Sequence, residues 1–139
     1  MGNRAVLQFK HRNQYNNKVE TLPSIYLHWN GGRASVEAFL DVAKKLNIRS
    51  DSYGVARLCQ IIGNFFGGDL SLGVFKDDFD PGDNGIYIIE NFKIIERKNL
   101  EIKEEINEAK TKEISEFILD MISRIDTLRD DMYKEEKYK

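Results

Sequence analysis

The sequence predicts an α+β fold: a small antiparallel sheet packed with two helices, plus a long C-terminal amphipathic helix. Three observations predict it. Ser24–Asn30 alternates, with Ile25, Leu27 and Trp29 on one side and Tyr26, His28 and Asn30 on the other. Two segments beginning near Ser35 and Tyr53 place their apolar residues at helical spacing. From Ile114, apolar residues recur at intervals of four and three.

Taken in order, Ala5–Phe9 is apolar enough to form a first strand. His11–Lys18, rich in Asn and Gln, reads as an exposed loop. The alternating strand follows and ends at Gly31-Gly32, a pair that permits backbone conformations other residues avoid. Ser35 is positioned to cap a helix with Val36, Phe39, Leu40, Ala43 and Leu46 on one face. Asn47–Ser52 breaks it. Tyr53–Phe66 forms the second helix. Its wide apolar arc holds Val55, Leu58, Cys59, Ile61, Ile62, Phe65 and Phe66, opposite a stripe of Arg57, Gln60 and Asn64. Gly67-Gly68 closes it. Leu70–Lys76 is a strand, Asp77–Gly85 a turn-rich loop, and Ile86–Arg97 a strand or bent strand pair. The even positions of that last segment (Ile86, Ile88, Phe92, Ile94) are mostly apolar, and the odd ones (Tyr87, Asn91, Lys93, Arg97) are mixed and polar, with Ile89 and Ile95 between them.

The final helix carries Ile114, Ile118, Met121, Ile125, Leu128 and Met132 at intervals of 4, 3, 4, 3 and 4, with Phe117 and Ile122 widening the seam. That seam serves either to pack on the chain's own sheet or to pair with another chain. Residues 101–139 hold 8 basic and 12 acidic side chains, net −4, against net +2 for residues 1–100, which contain all ten glycines and both prolines. The expected organisation is a compact body over 1–100 followed by a charged helix over 101–139, for packing or oligomerisation.

Composition excludes several classes. At 139 residues the chain suits one domain with its own core. The lone Cys59 leaves no intrachain disulfide framework and fits a reducing compartment. No apolar run approaches the roughly 20 residues of a membrane span, and no long apolar signal core opens the sequence. A net charge of −2 argues against coating a nucleic-acid polymer.

No catalytic constellation is visible, so no enzyme and no cofactor is expected. His11 and His28 have no zinc-type spacing with Cys59, which falls on an apolar helix face. Asp77, Asp78 and Asp80 match no calcium-loop pattern. Binding candidates are clearer. Arg57, with Gln60 and Asn64, forms a polar stripe in which a guanidinium can fork onto phosphate oxygens; a solvated surface would favour Lys and Glu over Gln and Asn. His28 with Asn30, and Asn91 with Arg97, are each expected to share a strand face suited to a polar ligand. Asn30-Gly31-Gly32-Arg33 is open to approach by an anion, although two glycines alone more often make an ordinary tight turn.

Several strings in this sequence are similar to a known family. They are Ile25-Tyr26-Leu27-His28-Trp29-Asn30-Gly31-Gly32, Ser35-Val36-Glu37-Ala38-Phe39-Leu40, the whole run Tyr53-Gly54-Val55-Ala56-Arg57 through Phe66-Gly67-Gly68, Asp83-Asn84-Gly85-Ile86-Tyr87, and Ile89-Glu90-Asn91-Phe92. Together they resemble the phage Thoeris anti-defence proteins of the first type, over about residues 3–97. The resemblance implies a non-enzymatic sponge in the host bacterial cytoplasm. Such a protein binds the cyclic ADP-ribose isomer that a TIR-domain enzyme makes from NAD, and does not degrade it. It also implies that cyclic di- or trinucleotides are held at a separate site, and that the protein is a homo-oligomer, from dimer to hexamer, with ligand sites between protomers. The binding roles it implies fall on Arg57, Asn84, Asn91 and Arg97, with Asn30 and Arg33; His28, Asn64 and Phe75 are further candidates outside that carry-over. Two other classes stay open: a nucleic-acid-binding module using Arg33, Arg57 and Arg97, and a structural or adaptor phage protein using the helical seam alone.

Overall fold

The structure, a computed structural model, describes residues 3–67, 71–75, 81–99 and 110–138. The expectations placed on Gly68, Leu70 and Lys76–Asp80, and on the side chains of Phe75, Ile125, Leu128 and Met132, lie outside the described residues.

The strand residues form one six-stranded sheet. Its members are β1 (Ala5–Arg12), β2 (Val19–Thr21), β3 (Ser24–Leu27), β4 (Leu72–Phe75), β5 (Ile86–Glu90) and β6 (Lys93–Lys98). The order is β4-β3-β1-β5-β6, with β2 also paired to β1. This corrects the expected small antiparallel sheet. β1 pairs antiparallel with β3 through Ala5–Leu7 and with β2 through Lys10–Arg12, but parallel with β5, Val6 opposite Ile86 through Lys10 opposite Glu90. The reason is the route of the chain. β3 is antiparallel to both β1 and β4, so β4 already runs in the direction of β1, and β5 takes that same direction on the other side of β1.

The Asn-rich stretch is a hairpin turn and not a loose loop. β1 continues to Arg12, Asn13 N–H donates to the Lys18 carbonyl at 2.8 Å, and Asn17 adopts φ 58°. The Asn13 and Asn16 side chains accept from the Tyr15 and Lys18 N–H groups, so the asparagines supply the turn's hydrogen bonds.

β3 ends at Leu27, two residues before Trp29, which is 45% exposed and meets His28 edge-on instead of entering the core. The cause lies at Gly31. Its N–H donates to the Asn3 carbonyl at 2.8 Å, and a Cβ there would sit 2.6 Å from that oxygen. Asn30, at φ 57°, bends the chain into this close approach. Helix α1 (Arg33–Lys45) therefore starts earlier than Ser35 predicts. Gly32 is its N-cap, and Ser35 is buried in the first turn. α1 buries Val36, Phe39, Leu40 and Ala43, while Leu46, at its C-cap, is exposed.

Helix α2 (Ser52–Phe66) has a side-chain cap: the Asp51 carboxylate accepts from the Gly54 N–H at 3.2 Å. Val55, Leu58, Ile61 and Ile62 are buried, and Cys59, Phe65 and Phe66 are partly so. Gly67 ends the helix at φ 67°. Helix α3 spans Thr111–Tyr138. Ile114, Ile118 and Ile122 are buried in the same core as the sheet, so this part of the seam packs within the chain. Phe117 remains 59% exposed, its ring 6.1 Å from that of Phe65.

The segment Ile86–Arg97 is two strands whose core-facing positions change parity, odd in β5 and even from Phe92 on. Tyr87 and Ile89 enter the core. Ile86 and Ile88 point to the other face with Val6. A two-residue turn at Asn91-Phe92, both at positive φ, and a bulge at Ile88/Ile89 shift the register, so Ile94 faces the core opposite Ile89. The core face of the sheet is thus Ala5, Leu7, Phe9, Ile25, Leu27, Tyr87 and Ile89 under helical residues. No helix among the described residues is long and apolar enough to cross a membrane.

Candidate functional site

Two of the sequence-predicted binding residues meet at one corner of the sheet. A single 3-10 turn, Gly82–Asn84, precedes β5 and lies against the start of β1. Asn84 is fully buried. Its Nδ2 donates to Asn3 Oδ1 and to the Arg4 carbonyl, and Arg97 Nη2 donates to the Asn84 carbonyl at 3.0 Å. The Arg97 guanidinium also lies over the Tyr87 ring, 4.3 Å from its centroid. Next to them Arg4 grips Asp83 through Nη2 and Nε, at 3.2 and 3.3 Å, and through its backbone N–H. The Arg4 guanidinium holds the Asp83 carboxyl below its usual range. These contacts clasp the 3-10 turn to β1, a task in which Asn84 and Arg97 direct donors at main-chain oxygens.

The other predicted residues are scattered. Arg57 Nη1 donates to Gln60 Oε1 at 2.8 Å on the α2 surface, one turn before the half-buried Asn64. Asn30 lies beyond the end of β3, so it shares no strand face with His28; its Nδ2 donates to Ser35 Oγ at 3.0 Å. His28 Nδ1 is 3.1 Å from the Tyr26 hydroxyl. Asn91 occupies the β5–β6 turn, accepting from Ser50 Oγ at 3.1 Å, at the opposite end of the hairpin from Arg97. Burial pushes the Cys59 thiol up, toward the unreactive protonated form. Among the described residues no three His, Cys, Asp or Glu groups are placed to hold a metal ion.

Among the described candidate residues only Arg33 borders an open trough of about 730 Å³. α1 forms one wall with Arg33, Glu37, Asp41, Lys44 and Lys45, successive positions along its outer face. The β5–β6 turn supplies Phe92, Lys93 and Ile94 opposite, and Thr111 and Lys112 of α3 close one end. Thr111 Oγ1 donates to the Ala34 carbonyl at 3.1 Å and ties that end to α1. Leu40, Phe92 and Ile94 give the groove an apolar floor. Five basic and two acidic side chains line it, a net charge of +3 on a chain whose total is −2. Such a basic, apolar-floored trough suits an anion that carries a ring.

The second groove, about 480 Å³, lies between the β1–β2 hairpin (His11, Asn13, Gln14, Tyr15) and the α1–α2 connection (Arg49, Ser50, Asp51). Arg49 is paired with Asp51 and lies over the Tyr53 ring. Its charges largely cancel.

Sequence reasoning missed Lys44, Lys45, Lys93 and Lys112. The charged face of α1 is visible as i, i+4 spacing, but that pattern also describes a plain solvated helix. Only the fold brings the hairpin lysine and the α3 lysine to it. Comparisons with protein-family models, with curated proteins and with solved structures gave no match to this chain.

Proposed function

We propose that this protein sequesters cyclic nucleotide signals, cyclic ADP-ribose isomers first and cyclic di- or trinucleotides as a further class, without degrading them. It acts as a phage immune-evasion sponge in the host bacterial cytoplasm. The observation that carries this reading is the basic groove of α1, the β5–β6 turn and α3, whose cationic walls and apolar floor match a ligand with phosphates and rings. The sequence strings similar to the Thoeris anti-defence proteins support it independently, because they choose among phosphate-bearing ligands. Self-association belongs to the same reading and draws support from Phe117, exposed beside Phe65.

Isothermal titration with cyclic ADP-ribose isomers and cyclic trinucleotides tests it, followed by heat release of the ligand and chromatography. Tight binding with the nucleotide recovered unchanged is the expected result. A linear ADP-ribose product that grows with incubation time would make the protein a hydrolase. Binding to none of these ligands would remove the sponge reading.

A further inference from the structure

The groove has a polarity of its own. Arg33 is paired with Glu37 at 2.8 Å, Lys45 with Asp41 at 3.1 Å, and Lys112 approaches Glu116 at 4.0 Å. Lys44 and Lys93 make no ion pair with any described residue, and they face the groove from different elements. Lys44 is in the last turn of α1, where an ammonium also complements the helix dipole. Lys93, on the hairpin, has no such second role. The paired acids neutralise the middle of the trough, so its unspent positive charge lies at the Lys44–Lys93 end.

One turn back along the same helix face, about 5.4 Å away, is Leu40. With Phe92 and Ile94 it makes the apolar floor. A dianionic group and a flat ring one sugar apart would satisfy both features at once. A carboxylate would use only one ammonium, and a purely apolar ligand would leave two cations stripped of water without a partner.

We propose that this groove is a nucleotide site with the phosphate on Lys44 and Lys93 and the base on Leu40, Phe92 and Ile94. The proposal rests on the reading of the groove as a nucleotide site but adds the orientation and the two anchoring lysines.

The test is calorimetry on the full chain with pyrophosphate, AMP, adenosine, cyclic ADP-ribose isomers and cyclic trinucleotides. The proteins are the wild type, Lys44→Gln, Lys93→Gln, the double variant and Ile94→Ala, with a thermal melt for each. The lysines are exposed, so the melts should coincide. Each lysine removed should weaken AMP and pyrophosphate about tenfold, and raising the salt should shrink that difference. Ile94→Ala should weaken AMP while leaving pyrophosphate unchanged, and adenosine should bind far more weakly than AMP.

Cyclic ADP-ribose bound equally by wild type and double variant would overturn the groove assignment and leave the sponge reading standing. AMP and pyrophosphate held through the lysines, with no binding of cyclic ADP-ribose isomers or cyclic trinucleotides, would sustain the groove and remove the sponge reading. Binding of none of these ligands would overturn both.

Discussion

The Tyr87 hydroxyl donates to the Gly31 carbonyl at 2.7 Å, so a fully buried side chain of β5 fixes the bend from which α1 departs. Gly31 is itself pressed against Asn3. Three segments distant in sequence thus converge on Gly31, through its carbonyl and its N–H. Tyr87→Phe keeps the ring and its cover over the core but leaves that buried oxygen unsatisfied. The expected loss is about 1–3 kcal/mol in urea unfolding, with little change in the native circular dichroism spectrum.

The Arg4–Asp83 clasp should make stability acid-sensitive. Arg4 lowers the Asp83 pKa below the usual 3.8, so the folded chain releases that proton more readily than the unfolded one. The contribution is therefore complete above the unfolded value and disappears as pH falls through the lower folded value. Asp83→Asn should be less stable than the wild type at pH 6, and the two denaturation curves should converge as pH falls through the lowered folded value of Asp83. A stability difference that does not shrink on acidification would show that Asp83 contributes through something other than its charge.

Two helical glycines should respond in opposite directions to alanine. A Cβ at Gly54 would lie 1.3 Å from the Arg49 carbonyl oxygen, which belongs to the tight α1–α2 connection. Gly54→Ala should cost at least about 3 kcal/mol, because backbone has to move. At Gly63 the nearest foreign atom is Leu72 Cδ2 at 3.9 Å. Gly63→Ala should be neutral or raise stability by up to about 1 kcal/mol through helix propensity. Thermal melts of the pair make the comparison.

Neighbouring residues of α3 separate folding from assembly. Ile118 is fully buried in the core, so Ile118→Ala should cost about 2–5 kcal/mol. Phe117→Ala removes an exposed ring and one edge-on contact to Phe65, worth about 1 kcal/mol. If this face joins copies of the chain, Phe117→Ala should lower the mass seen in sedimentation at micromolar protein while the melt barely moves.

Arg57 lies on α2 and does not border the basic groove. Arg57→Ala should leave AMP and pyrophosphate affinity within about twofold of wild type. A selective loss for a cyclic trinucleotide would assign Arg57 to a second, separate site.

The helices were legible because their information is local. The arc of α2 and its stop at Gly67 are spacing and composition, and both survive in the fold; its Asp51 cap was not read from the sequence. The sheet was only partly legible. Nothing near β1 announces that its parallel partner is β5, and the turn at Asn91-Phe92 with the register shift at Ile88/Ile89 changes which parity faces the core partway along Ile86–Arg97. The candidate site was least legible. Asn84 and Arg97 look like ligand contacts in sequence because amides and guanidinium groups hydrogen-bond either to ligands or to backbone, and only burial distinguishes the two uses. Lys93 looks like solvent-facing charge until α1 is placed beside it.

The parallel pairing of β1 with β5 also carries a consequence for biosynthesis. β1 leaves the ribosome about eighty residues ahead of Ile86–Glu90, so one of its two edges waits that long for its partner. Closing so long a loop is entropically slow, and meanwhile Ala5–Phe9 is an apolar strand with free main-chain donors and acceptors. The nascent chain is therefore most vulnerable to intermolecular strand pairing in the interval before β5 appears. The polar hairpin of residues 13–18, formed from local contacts alone, occupies the far end of β1's other edge during that interval.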